Sequence, residues 1–236
     1  MIDARGLRKR FGVVEVLRGL DLHIARGRIT AIVGPNGAGK TTFIKSVLGL
    51  ARPDSGTLTF DGAGIGEDEA YRARIGYMPQ LARFPEHMTG EELIHLLRDL
   101  HGGSPVDARL VDAFGIRGEL RKQLRVLSGG TRQKVNAVAA FLFTPELYVL
   151  DEPTVGLDPV SAGILKARIH LERAVGHTVL LTSHIMSELD ELADDVIYLA
   201  EGRVRYAGTL VGLKETMGHT NLERAIAALM VREAAA

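Results

Sequence analysis

Along residues 2–33, apolar and polar positions alternate: Leu20, Leu22 and Ile24 fall on one side, Asp21 and His23 on the other. A period of two predicts strands with one buried face. Residues 29–33 replace the alternation with a nearly continuous apolar run ending at Gly34, the pattern of a parallel strand covered on both faces. A helix is then predicted over 41–50, stopping near Gly49 and Arg52-Pro53, with short strands at 57–60 and 75–78. From Pro85 to Phe143 the period becomes helical. Thr89 and Glu92 form a capping box ahead of Leu93, Ile94, Leu96 and Leu97. A second helix is predicted over 107–114, and a third from Gly130 to Phe143. Strand patterns return at 147–150 and 178–182, joined by a helix over 161–175. Residues 195–199 and 203–207 predict a closing hairpin about Glu201-Gly202, 221–230 an amphipathic helix, and 233–236 a frayed end. This order of strands and helices predicts an α/β fold with a helical insertion.

Composition narrows the partners more than the fold. The 236 residues suit one α/β domain with an inserted lobe, and 46% apolar content is ordinary for a globular chain. Twenty-nine basic residues balance 29 acidic ones, which argues against a nucleic-acid-binding surface. The short run Arg8-Lys9-Arg10 reads as solvated surface. With no cysteine, disulfides and thiolate metal sites are excluded. The first residues lack the apolar run of a signal peptide. The most apolar stretch, 137–143, falls far short of the roughly 20 residues of a membrane span. The expectation is a cytoplasmic chain that reaches a membrane only through a partner.

The candidate chemistry concerns phosphate. Gly34-Pro35-Asn36-Gly37-Ala38-Gly39-Lys40-Thr41 fits G-x-x-x-x-G-K-[ST], follows a predicted strand and opens a predicted helix, the context a P-loop requires. Gly34, Gly37 and Gly39 let backbone N–H groups turn towards phosphates, and the helix N-terminus adds its positive dipole end. Asn36 and Thr42 flank the same cradle. Lys40 is expected on the β- and γ-phosphates and the Thr41 hydroxyl on Mg²⁺. The strand 147–150 delivers Asp151 and Glu152 at its carboxyl end, where α/β sheets bind ligands. Asp151 suits the Mg²⁺ role, and Glu152 suits orienting water and accepting its proton. His184 follows the strand 178–182, and Gln80 ends the run 75–79, within reach of metal or water. Leu127-Ser128-Gly129-Gly130-Thr131 opens another helix. Ser128 reads equally as an N-cap or, with Gly129 and Gly130, as part of a second anion cradle.

The ordered set of P-loop, Gln80, Leu127-Ser128-Gly129-Gly130, Asp151-Glu152, Gly156-Leu157-Asp158 and His184 resembles the nucleotide-binding domain of ABC transporters over essentially the whole chain. The resemblance implies a P-loop NTPase (RecA-like) core over 1–84 and 146–218. It further implies an N-terminal antiparallel β subdomain, an α-helical signature subdomain over 85–145 and a C-terminal helix over 219–236. Phe11 matches the residue that stacks on adenine, usually Tyr in the family. Gln80 matches the Q-loop, where it would join Thr41 and Asp151 on Mg²⁺; Asp158 matches the D-loop, and His184 the histidine that senses the γ-phosphate. Thr131 departs mildly from the Gln often found there. The family's use of ATP and Mg²⁺ implies a head-to-tail dimer in which Ser128, Gly129 and Gly130 act on the partner copy's ATP. An integral membrane permease would grip the chain near Gln80 and residues 81–101, placing it peripherally on the cytoplasmic face of the inner membrane. The arrangement leaves room for a periplasmic accessory protein and implies no nucleic acid.

Within that family the stretches 127–136, 141–145 and 182–195 resemble the ATPase subunit of Nos transporters, which support copper-site assembly of nitrous oxide reductase. A cysteine-free chain would power that process and not carry copper. His87, Met88, His95 and His101 are too irregularly spaced to suggest a metal site. Competing readings are an ABC-2-type exporter ATPase for another cargo, a non-transport ABC ATPase acting on DNA or ribosomes, and a small-molecule kinase. The neutral charge opposes the second of these, and a kinase would leave Leu127–Gly130 and Asp158 without a role.

Overall fold

The computed structural model describes residues 1–66 and 69–234, with the side chains of 233 and 234 excepted. Strands β1 (Ile2–Phe11) and β2 (Val14–Ile24) form an antiparallel hairpin, followed by β3 (Ile29–Val33) and helix α1 (Lys40–Val47). Next come β4 (Ser55–Phe60), the short β5 (Ala63–Gly64) and β6 (Ile75–Met78). The helical insertion holds α2 (Gly90–Leu100), α3 (Arg109–Ala113) and α4 (Gly129–Ala140). The chain then runs through β7 (Leu147–Asp151), α5 (Pro159–Ala174), β8 (Thr178–Thr182), α6 (Met186–Leu192), β9 (Asp195–Ala200) and β10 (Arg203–Thr209). Helices α7 (Leu210–Met217) and α8 (Leu222–Ala234) close it.

Two sheets result. One is antiparallel, in the order β2-β1-β4-β5; the other runs β10-β9-β3-β8-β7-β6 and is parallel except for β10. The continuous apolar runs are explained by what covers each face of the second sheet. Ile32, Leu147, Val149 and Leu180 point into a core shared with the antiparallel sheet and Phe43, Ile44 and Val47 of α1. Their neighbours Ala31, Val33, Tyr148, Leu150, Val179 and Leu181 point into a second core shared with the helices. Neither face meets water, so alternation disappears from the sequence.

An ionic knot fastens the two sheets together. Arg74 reaches both Glu146, at 2.6 Å, and Asp61, while Arg26 joins the same two acids at 2.8 and 2.6 Å. Hydrogen bonds from these guanidinium groups hold the Glu146 carboxyl down at about 2.

The differences from the expected elements have local causes. The capping box of α2 forms as expected, with both Thr89 and Glu92 contacts present. Helix α4 starts at Gly129 and stops at Ala140 instead of continuing to Phe143. There the chain turns so that Phe141 stacks on Tyr148 with ring centroids 4.6 Å apart. Helix α3 is shorter than expected because the Asp107 N–H donates to the Leu142 carbonyl and its carboxylate binds Arg168 at 2.7 Å. Helices α6 and α7 lie in stretches given no element in the sequence reading. Of the tail expected to fray, Glu233 and Ala234 continue α8, and 235–236 lie outside the described residues.

Candidate active site

The loop 34–39 leaves β3 and wraps the N-terminus of α1. Two of its glycines are required by close approach. A Cβ on Gly34 (φ 155°) would sit 2.1 Å from the Leu199 carbonyl oxygen, and one on Gly39 (φ 106°) 2.8 Å from Leu17 Cδ2. The Lys40 ammonium arches back to donate to the carbonyls of Gly34, at 2.6 Å, and Pro35, at 3.0 Å. Burial pushes this amine below its ordinary value, against the pull of Glu152 and Asp151.

Asp151 ends β7 and Glu152 follows it in a left-handed conformation (φ 53°). Asp151 Oδ1 accepts the Thr182 hydroxyl proton at 2.5 Å. Glu152 Oε1 lies 2.6 Å from His184 Nδ1, and its Oε2 accepts the His184 N–H at 3.3 Å. Burial is the largest influence on the Glu152 carboxyl and pushes it up; His184 opposes the shift. A carboxylate raised in this way is better matched to taking a proton near neutrality.

A single cleft of about 370 Å³ gathers Asn36, Gly37, Gly39, Lys40, Thr41 and Thr42 with Gln80, Asp151, Glu152 and His184; Gly34 supplies the carbonyl beneath Lys40. Val14 and Val16 of β2 complete the wall with apolar surface. Phe11 is not on this wall. It is 52% exposed near the tip of the β1–β2 hairpin, with the Lys9 ammonium 5.3 Å from its ring centre.

Ser128, Gly129 and Gly130 also lie away from the cleft. The Ser128 hydroxyl caps α4 by accepting the Thr131 N–H at 3.2 Å. Gly129 borders a separate surface depression of about 390 Å³ with Leu81, Arg132 and Gln133, where a Cβ would meet nothing within 4 Å. Gln80 borders both depressions. Asp158 caps α5 through the Ser161 N–H at 2.9 Å and pairs with Lys134 of α4 at 3.0 Å; these bonds hold its carboxyl well below the usual range. One more contact braces α4 on the same segment: Gln133 Nε2 donates to the Pro153 carbonyl at 3.3 Å.

The sequence reading missed Val14, Val16 and Thr182. Nothing marks the valines apart from strand alternation. Thr182 shows only as a polar residue closing an apolar strand, and its contact with Asp151 depends on the β7–β8 register. His101 stacks on Phe143 at 3.8 Å, and among the described residues no cluster of His, Cys, Asp or Glu could hold a metal ion. Among those residues no helix is long and apolar enough to cross a membrane.

Comparison with known proteins points one way. Residues 17–155 match the family described as "ABC transporter". The chain is 37% identical over 223 residues to the daunorubicin/doxorubicin resistance ATP-binding protein DrrA of Streptomyces peucetius, covering 92% of this chain and 68% of that protein. It is 34% identical over 209 residues to the Nod factor export ATP-binding protein I of Ralstonia nicotianae, covering 86% and 65%. A solved structure described as the ATP binding subunit of an ABC transporter superposes with a TM-score of 0.90 at 31% identity, covering 98% of this chain and 99% of the other.

Proposed function

Because the chain belongs to the ABC transporter family of ATP-binding domains, we propose that it is the ATP-hydrolysing subunit of an exporter-type transporter, working as a head-to-tail pair. The observation that carries this reading is the separation of the two cradles. The P-loop, Gln80, Asp151, Glu152 and His184 share one cleft, whereas Ser128–Gly130 lies outside it with open space before Gly129. A cradle that lies outside its own chain's nucleotide cleft is explained if it serves a second copy's.

The P-loop amides and Lys40 bind the phosphates of ATP, and Phe11 swings over the adenine. The Thr41 hydroxyl, the Asp151 carboxylate and the Gln80 amide oxygen are hard oxygen donors on one wall, a set that fits Mg²⁺. When bound, the ion offsets the phosphate charge. Glu152 accepts the proton of the attacking water, and His184 holds Glu152 in place and meets the γ-phosphate. Asp158, Ser128, Gly129 and Gly130 face the partner copy.

Residues 1–84 and 146–218 form the nucleotide-binding core, 85–145 the signature lobe, and residues from 219 onward a C-terminal element. An apolar groove of about 330 Å³ between core and lobe, lined by Tyr77, Phe84, Leu97, His101 and Phe143, suits a membrane permease and supports a peripheral position on the cytoplasmic face. The names of the relatives, drug resistance and Nod factor export, support an exporter. The narrower Nos reading, with its copper-site role and periplasmic accessory protein, rests on the stretches 127–136, 141–145 and 182–195 alone. Deleting the gene would leave nitrous oxide reductase short of copper under that reading and unchanged under the other.

Glu152→Gln tests the core proposal. Turnover should fall by roughly 10²-fold or more while ATP binding persists. Gel filtration with ATP and Mg²⁺ should then show a dimer. A monomer, or γ-phosphate passed to a small acceptor instead of water, would overturn it.

A further inference from the structure

Adjacent acids at a strand end repel each other and, left alone, would sample several rotamers. Here both Asp151 and Glu152 are bonded to one residue of the neighbouring strand. Thr182 closes β8 directly opposite Asp151 in the parallel register and is only 1% exposed. Its one hydroxyl proton goes to Asp151 Oδ1 at 2.5 Å. The same hydroxyl oxygen accepts the Glu152 N–H at 3.1 Å, and so does the Thr182 carbonyl oxygen, also at 3.1 Å.

The second pair of bonds matters because Glu152 sits at φ 53°, where a side-chain-bearing residue is strained. Such a conformation persists only when its surroundings over-determine it. A bifurcated bond to two oxygens of one buried residue does this. We propose that Thr182 is the positioning residue of the acidic pair, its hydroxyl fixing the Asp151 rotamer while its two oxygens fix the Glu152 backbone. Asp151 then keeps its second oxygen for the cleft, and Glu152 keeps its carboxylate beside His184.

A further clamp keeps the segments beyond the pair from drifting apart. Glu188 Oε2 accepts the Thr154 hydroxyl at 2.7 Å and the Ser183 hydroxyl at 3.4 Å, tying the residues after Glu152 to those before His184. Thr154 and Ser183 are both buried. Thr182 sets the pair and Glu188 closes the frame around it.

This inference rests on the ATPase reading for its consequence in turnover, so its test includes a readout that needs no hydrolysis. Thr182→Val keeps the shape and removes both roles of the hydroxyl; Thr182→Ser keeps the hydroxyl. For the valine variant of the full chain, kcat should fall about 10- to 100-fold, and Mn²⁺ affinity in the presence of ADP, read by electron paramagnetic resonance, should weaken about tenfold. Metal-free ADP should bind within about twofold of the parent, and the serine variant should stay near the parent in every assay. Unchanged Mn²⁺ affinity in Thr182→Val would overturn the proposal. So would a serine variant as damaged as the valine one, or equal loss of metal-free nucleotide binding, which would mark a packing role. A parent chain without ATPase activity but with the Mn²⁺ difference intact would sink the ATPase reading and leave the positioning role standing.

Discussion

Two glycine-bearing helix starts of this chain, 34–41 and 128–131, use similar residues and are built in opposite ways. The first is wedged into the core. Leu199 and Leu17 leave no room for a Cβ at Gly34 or Gly39, Lys40 is tied to the loop's own carbonyls, and two acids stand opposite. The second has one serine cap, open space before Gly129 and, among the described residues lining its depression, no acid. A cradle preorganised on a packed sheet can hold a phosphate alone. One that offers only a helix start and a hydroxyl becomes a site when another surface brings the rest. The same local chemistry therefore means different things according to what lies behind it.

Alanine at the two kinds of glycine gives the sharpest contrast. Gly34→Ala meets the Leu199 carbonyl and should destabilise the chain by several kcal/mol, on the order of 3, with loss of nucleotide binding, measured by thermal melting and an ATP titration. Gly129→Ala enters open space and should leave stability within about 1 kcal/mol and nucleotide binding intact, yet lower ATPase turnover and ATP-driven dimerisation. If both variants fail in the same way, the contrast collapses. A smaller effect is expected from Ser128→Ala, which loses the α4 cap and should cost about 1 kcal/mol in urea unfolding without altering binding in the P-loop cleft.

The subtlest difference is electrostatic. Burial raises the Glu152 carboxyl, so the folded chain holds that proton more tightly than the unfolded one. The resulting penalty is absent below the ordinary glutamate value, grows as pH rises, and is complete above the raised value. Glu152→Gln should therefore gain stability over the parent as pH rises through that window, and the two melting temperatures should converge in acid. A difference that stays constant from about pH 4 to about pH 8 would contradict the burial argument.

How far the sequence was readable follows from how local each signal is. The strands buried on both faces and the Thr89–Glu92 capping box could be read directly, because spacing and residue type carry them within one segment. The Gly34–Thr41 loop is equally local. Helix α6 has seven residues and buries only Leu189 and Leu192, too short a run to show a period. Helix α7 does carry local cues, with Thr209 capping it at the start and Gly218 in the left-handed conformation at its end. The end of α4 is set by a ring on β7, and the importance of Thr182 by a register with a strand 31 positions away. Neither appears in any window of the sequence. The separation of Ser128–Gly130 from the P-loop is likewise a fact of three dimensions alone.

Helix α4 is braced through Gln133 and Lys134 against the segment 153–158 that begins directly after Glu152. Under the proposed pairing, what one copy would present to its neighbour is thus mechanically continuous with the residues proposed to process its own nucleotide. In the proposed head-to-tail pair, such continuity would make each copy both reader and writer of the other's state. The two turnovers would then be correlated events, visible as a Hill coefficient above one for ATP and as poisoning of a mixed pair by a single defective copy.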